Sequence, residues 1–215
     1  MRNFTYSIPT TIYFGKDKLE EIIPAVKRYG KRVLITYGGG SIKRIGLYDK
    51  LTALFKQNDI FYVELGGIQP NPRVSSVREG IALCREHKVD FILAVGGGSV
   101  IDASKAIAAG VTYDGDVWDF MIGKATVKDP LPLGSVLTLA ATGSEMNGSA
   151  VISNEETQDK RPMGDPALRP VFSVLDPVYT YSVNKWHTAA GTTDIMSHIF
   201  EAYYTVDKDV EVADY

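Results

Sequence analysis

Phe91-Ile92-Leu93-Ala94-Val95-Gly96-Gly97-Gly98-Ser99-Val100-Ile101-Asp102 begins as an unbroken apolar run and passes through three glycines into a segment of helical character. The apolar half has strand length and ends on a turn signal, so it reads as a fully buried strand. The same order occurs earlier, where Arg32-Val33-Leu34-Ile35-Thr36-Tyr37 is stopped by Gly38-Gly39-Gly40-Ser41. Phe61-Tyr62-Val63-Glu64-Leu65 reads as a strand between them. Apolar spacing of three and four residues predicts helices over 42–56, 74–87 and 100–111. Strands and helices therefore alternate at about 30 residues per unit, the βαβ repeat. Strands apolar throughout imply a parallel sheet covered on both faces, and right-handed crossovers make this an α/β, Rossmann-like, doubly wound domain.

Beyond Asp114 the texture changes. Leu133–Leu139, Ser149–Ser153 and Val171–Leu175 read as further strands among Pro- and Gly-containing loops. Trp186–Thr205 is one mainly helical, amphipathic stretch with no strand signal. The expected organisation is the α/β domain over 1–180 and, over 181–215, the beginning of a helical region. The 215 residues are 45% apolar and 23% charged with net charge −3, which excludes disordered and fibrous classes. A single cysteine, Cys84, excludes a disulfide scaffold and fits a reducing compartment, so a cytoplasmic location is expected. No run approaches a membrane span, and a mildly acidic chain argues against a nucleic-acid partner. Charge is uneven: residues 1–50 hold ten Lys/Arg and four Asp/Glu. That excess reads either as solvated helix faces or as a basic surface near a phosphate-bearing ligand.

Glycine without a Cβ lets backbone N–H groups approach a phosphate, and a following helix N-terminus adds the positive end of its dipole. Two such strand ends in phase with a strand-to-helix passage point to a nucleotide site. Neither fits G-x-G-x-x-G, since the sixth residue from Gly96 is Ile101, and no P-loop lysine is present. After Tyr37 no acid occurs before Asp49, while Lys43 and Arg44 follow at once. A carboxylate there selects a free 2′-hydroxyl, so its absence favours NADP(H) over NAD(H). Asp194 and His198 stand four apart on a helix and so share one face, where carboxylate and imidazole suit Fe(II) or Zn(II). Thr138-Leu139-Ala140-Ala141-Thr142-Gly143-Ser144-Glu145 runs from a strand into a hydroxyl-rich turn. It reads either as a ligand-holding loop or as a capping box between Thr142 and Glu145. His87 reads as a solvated helix end and His187 as a structural or surface residue.

Taken in order, Tyr13-Phe14-Gly15, Gly38–Lys43, Gly66-Gly67-Ile68-Gln69-Pro70-Asn71-Pro72, Ala94–Asp102, Leu137–Glu145, Val174-Leu175-Asp176-Pro177 and the Asp194/His198 pair resemble the iron-containing (group III) alcohol dehydrogenases. The likeness is to their NADP-dependent butanol dehydrogenase and aldehyde reductase branch. The resemblance implies that Gly97, Gly98 and Ser99 bind the pyrophosphate and that Asp102 supports that loop. It implies that Asn71, Thr138, Thr142 and Lys160 line the rest of the cleft, with Gly39, Gly40, Ser41 and Lys43 at the adenine-ribose end. Asp194 and His198 would be two of four ligands to a divalent metal, and the substrate an alcohol or aldehyde. The family's other two metal-binding histidines come from later helices and are expected beyond Tyr215, so the chain is expected to be the N-terminal part of a longer protein. By itself it would bind NADPH weakly, hold no stoichiometric metal and stay inactive. The alternatives are a nucleotide-binding fragment without catalysis, or a relative of glycerol dehydrogenase or dehydroquinate synthase. The resemblance also suggests a homodimer, with the strand-like Asn3–Tyr6 and Thr11–Phe14 segments at an edge.

Overall fold

The computed structural model describes residues 7–204. The main sheet is built from β1 (Thr11–Phe14), β2 (Arg32–Tyr37), β3 (Phe61–Leu65), β4 (Phe91–Gly96), β5 (Leu133–Leu137) and β8 (Phe172–Leu175). Every pairing in it is parallel, in the order β1-β8-β5-β4-β2-β3. Helices α1 (Ile22–Tyr29), α2 (Ser41–Arg44), α3 (Leu47–Gln57), α4 (Val74–Glu86), α5 (Gly98–Val111) and α6 (Trp118–Met121) fill the crossovers. Asn3–Tyr6 lies outside the described residues; Thr11–Phe14 forms the edge strand β1 and pairs with β8.

Alternating side chains of each central strand explain the layers, because neighbours along a strand point to opposite faces. Leu34, Ile92 and Ala94 pack with Val77, Ile81, Ile101 and Ile107 of α4 and α5. Val33, Ile35, Leu93 and Val95 pack on the other face with Ile22, Val26, Leu51 and Phe55 of α1 and α3. The uninterrupted apolar strands thus serve two cores at once. Cys84 is buried in the first core, and desolvation pushes its thiol up to about 12. The thiolate is the reactive form, so iodoacetamide at mildly alkaline pH should label Cys84 only after denaturation. Rapid labelling of the folded chain would contradict this packing.

Three local expectations need correction. The helix expected over 42–56 is two helices, because Gly46 takes φ 72° and ends α2 before α3 starts. Ser149–Asn154 (β6) does not join the main sheet; it pairs antiparallel with β7 (Asp159–Gly164), a strand its polar sequence did not suggest. Thr142 and Glu145 form no capping box, since no helix starts there. Instead the Thr142 hydroxyl accepts the Ser144 N–H at 3.3 Å, and Met146 N–H closes a turn on Gly143 O at 3.0 Å.

After β8 the chain turns at Pro177–Thr180 and enters α7 (Lys185–Tyr203). Ile195, Met196, Ile199, Phe200 and Tyr203 on it are between 41% and 60% exposed, so this helix is not part of either core. Of the helical region expected over 181–215, the stretch from Thr205 to Tyr215 lies outside the described residues. Among the described residues no helix is long and apolar enough to cross a membrane.

Candidate dinucleotide and metal site

The chain goes outward from β2 to β3, then returns across β2 to lay down β4, β5 and β8 on the other side. The strand order therefore reverses between β2 and β4. In open α/β sheets the crevice at the carboxyl ends of such strands is where ligands bind. Both glycine loops stand there.

Beyond β4, Gly97 accepts at its carbonyl from the N–H groups of Val100 (3.0 Å) and Ile101 (3.2 Å), starting α5. No side chain caps this helix, which leaves the N–H groups of Gly98 and Ser99, ahead of that first bond, without an intrahelical acceptor. A Cβ on Gly98 would collide with the Thr142 side chain, and one on Gly97 would stand 3.3 Å from Leu139 Cβ. Glycine is required here by close approach. This uncapped start with glycines at 97 and 98 fits a pyrophosphate. A cleft of about 460 Å³ opens above it, lined by Ser41, Arg44, Gly97, Thr138, Leu139 and His187. Thr138 N–H donates to Gly96 O at 3.0 Å, fixing the start of the hydroxyl-rich loop beside the glycine loop.

The β2 loop is held to its neighbour by Gly67 N–H donating to Gly38 O at 3.2 Å. Gly40 takes φ 91°, a left-handed conformation suited to glycine, while a Cβ on Gly39 would meet nothing within 4 Å. The Lys43 ammonium lies 5.0 Å from the Tyr37 ring centre and 4.7 Å from that of Tyr48. Interaction with Tyr37, then the charges of Glu64 and Asp49, raises its pKa. Behind it the Glu64 carboxylate accepts both phenols, Tyr37 at 2.9 Å and Tyr48 at 2.5 Å. The latter bond also raises the Tyr48 pKa. Lys43 is exposed, as a solvated helix residue is, while lying over the two tyrosine rings, and Glu64 is an acid near this loop that linear reading from Tyr37 missed. It arrives from the neighbouring strand.

Asn71 and Lys160 are brought together, Lys160 Nζ donating to Asn71 Oδ1 at 2.6 Å. They line a separate depression of about 410 Å³ with Arg73, Asn154 and Glu155. Asp102 lies behind the glycine loop, accepting from Ser144 Oγ at 2.6 Å and Val151 N–H at 3.0 Å. Burial raises its pKa against the pull of those two bonds. Lys105, fully buried one turn further on, escaped sequence reading. The signal was there: a single lysine among Ile101, Ala103, Ala106, Ile107 and Ala108. His187 is exposed as expected, yet it also lines the glycine cleft and pairs through Nδ1 with Asn184 Oδ1 at 3.0 Å.

On α7, His198 Nε2 lies 3.7 Å from Asp194 Oδ2, both side chains more than half exposed. As a carboxylate and an imidazole on one helix face, they fit two positions of a divalent metal's shell. Among the described residues no group of three or more candidate ligands occurs.

The family profile of iron-containing alcohol dehydrogenases matches residues 9–177. The chain belongs to the iron-containing alcohol dehydrogenase family. It is 57% identical to NADH-dependent butanol dehydrogenase A of Clostridium acetobutylicum, over 95% of this chain and 53% of that protein. It is 44% identical to the NADPH-dependent aldehyde reductase YqhD of Escherichia coli, over 100% of this chain and 55% of that one. The crystal structure of NADH-dependent butanol dehydrogenase A from Thermotoga maritima superposes with a TM-score of 0.91 at 44% identity, over 95% of this chain and 52% of that chain. The chain spans about half the length of the curated relatives it matches. Membership of this family agrees with the parallel sheet and glycine loops built above.

Proposed function

We propose that the protein is an NAD(P)(H)-dependent alcohol dehydrogenase or aldehyde reductase of the butanol dehydrogenase type. The uncapped start of α5 at the point where strand order reverses carries this reading. A bound nicotinamide dinucleotide supplies or accepts the hydride. The N–H groups of Gly97, Gly98 and Ser99 hold its pyrophosphate, while Thr138 borders the cleft and Thr142 backs the glycine loop at Gly98, orienting it and excluding water. Asp194 and His198 hold a divalent ion, Fe(II) or Zn(II). When bound, such an ion polarises the substrate oxygen as a Lewis acid, worth several kcal/mol. With two candidate ligands on α7, residues 1–215 alone are expected to hold metal poorly and turn over little.

The same proposal gives the β2 loop a preference for NADPH. Relatives named for either cofactor resemble this chain, so the reading rests on the loop itself. Gly39 leaves open space, Ser41 and Lys43 offer a hydroxyl and a cation, and the nearby Glu64 carboxylate is engaged by two phenols. Gly39→Asp should fit without steric cost and repel a 2′-phosphate. The expected result is kcat/KM favouring NADPH in the unmodified enzyme and NADH in the variant. An NADH preference in the unmodified enzyme would refute the reading.

A further inference from the structure

Lys105 has no exposed surface, yet its ammonium is fully hydrogen-bonded. It donates to Ser144 Oγ at 2.7 Å, Asn147 Oδ1 at 3.0 Å and Ser149 O at 2.8 Å. An ammonium has three N–H donors, and all three go to one stretch of chain, residues 144–149. Ser144 passes the contact on, donating its own proton to Asp102 Oδ1. Asp102 then reaches β6 by accepting from Val151 N–H. The helix whose first turn forms the glycine loop is thereby fastened to the turn that follows Thr138 and Thr142. Thr142 in turn packs against the position where a Gly98 Cβ would stand.

We propose that Lys105 is a positioning residue for cofactor binding: with Ser144 and Asp102 it holds the Thr142–Asn147 turn over the glycine loop at the start of α5. The inference rests on the dinucleotide reading above. Lys105 does not border the cleft and so acts through the turn, not on the ligand.

Burial pushes the Lys105 ammonium down to about 8, opposed by the charges of Asp102 and Glu145. The charged groups facing the bridge are Asp102 on α5, Glu145 in the turn, and Lys160 on β7, which acts on Asp102. Deprotonation leaves two donors for three acceptors, and removes a positive charge that favours an anionic ligand. Cofactor affinity should therefore be full below this pKa and fall as pH rises through it.

The test is equilibrium binding of NADPH to the whole protein from about pH 7 to about pH 9, together with amide exchange. Lys105→Met should weaken binding roughly tenfold at neutral pH, the scale of one charged hydrogen bond. It should also abolish the inflection expected near pH 8 in the unmodified protein and lower exchange protection over 144–151. A purely structural role would not move that inflection. If Lys105→Met does not fold, Ser144→Ala carries the test. It removes the bridging hydroxyl but leaves Lys105 two acceptors, and should weaken NADPH several-fold and shift the inflection. A folded variant with unchanged affinity and pH curve would overturn the inference. No binding of NADPH or NADH by the unmodified protein at any pH would instead overturn the dinucleotide reading, and with it the cofactor role of Lys105.

Discussion

Gly98→Val is expected to leave the whole protein folded but with NADPH affinity reduced about a hundredfold or more. A Cβ at this position collides with the Thr142 side chain, and the two further methyls of valine add bulk at the helix start where the pyrophosphate is proposed to bind. The helical backbone of α5 accepts valine, and Gly98 lies at the helix start, so the fold should survive. What is lost is the approach of the ligand to the N–H groups of Gly98 and Ser99, together with the present seat of the Thr142 side chain, which must shift. Two hydrogen bonds to a charged oxygen contribute about 3–6 kcal/mol together, and each 1.4 kcal/mol is a factor of ten. The measurement is titration with NADPH, beside a thermal melt of the same sample. Affinity within a few-fold of the unmodified protein, with a cooperative melt, would remove the glycine loop from the binding site.

The second large effect concerns α7. Asp194→Ala and His198→Ala should each strip metal from the whole protein and cut alcohol oxidation by more than about a hundredfold, on the several kcal/mol a Lewis-acidic ion contributes. NADPH affinity should stay within about twofold, since the two sites come from different elements and their energies are then additive. Both side chains are more than half exposed and four residues apart on one helix. Their loss therefore opens no cavity in either core. Emission spectroscopy for metal and a nucleotide titration separate the two effects. A variant that keeps its metal and its turnover would show that these residues are not ligands.

Much of this was legible in the linear chain, for a physical reason. A buried parallel strand must be apolar on both faces, so Val33–Ile35 and Phe91–Val95 stand out in any reading. The glycine loops were equally plain, because close backbone approach leaves glycine as the residue that fits. What stayed hidden depends on chain partners far apart in sequence. The Asp159–Gly164 strand is polar and contains Pro162, so nothing in its pattern announced that it would pair with Ser149–Asn154. Glu64 reached the β2 loop from the next strand, through two tyrosine hydroxyls. Lys105 went unread because its acceptors, Ser144, Asn147 and Ser149, lie some forty residues away in the chain. The expected long helix over 42–56 failed at one residue, Gly46, whose left-handed φ the apolar spacing could not register. Periodicity reports which face is buried; it is silent on polar partners brought in by topology.

Hydrogen exchange of the whole protein, with and without saturating NADP⁺, tests most directly whether the crevice between β2 and β4 is the dinucleotide site. Binding there should protect amides in 38–43, 96–102 and 138–142 together, while the outer face of α1 and the exposed face of α4 stay unchanged. Protection confined to other segments, or none at saturation, would contradict the assignment.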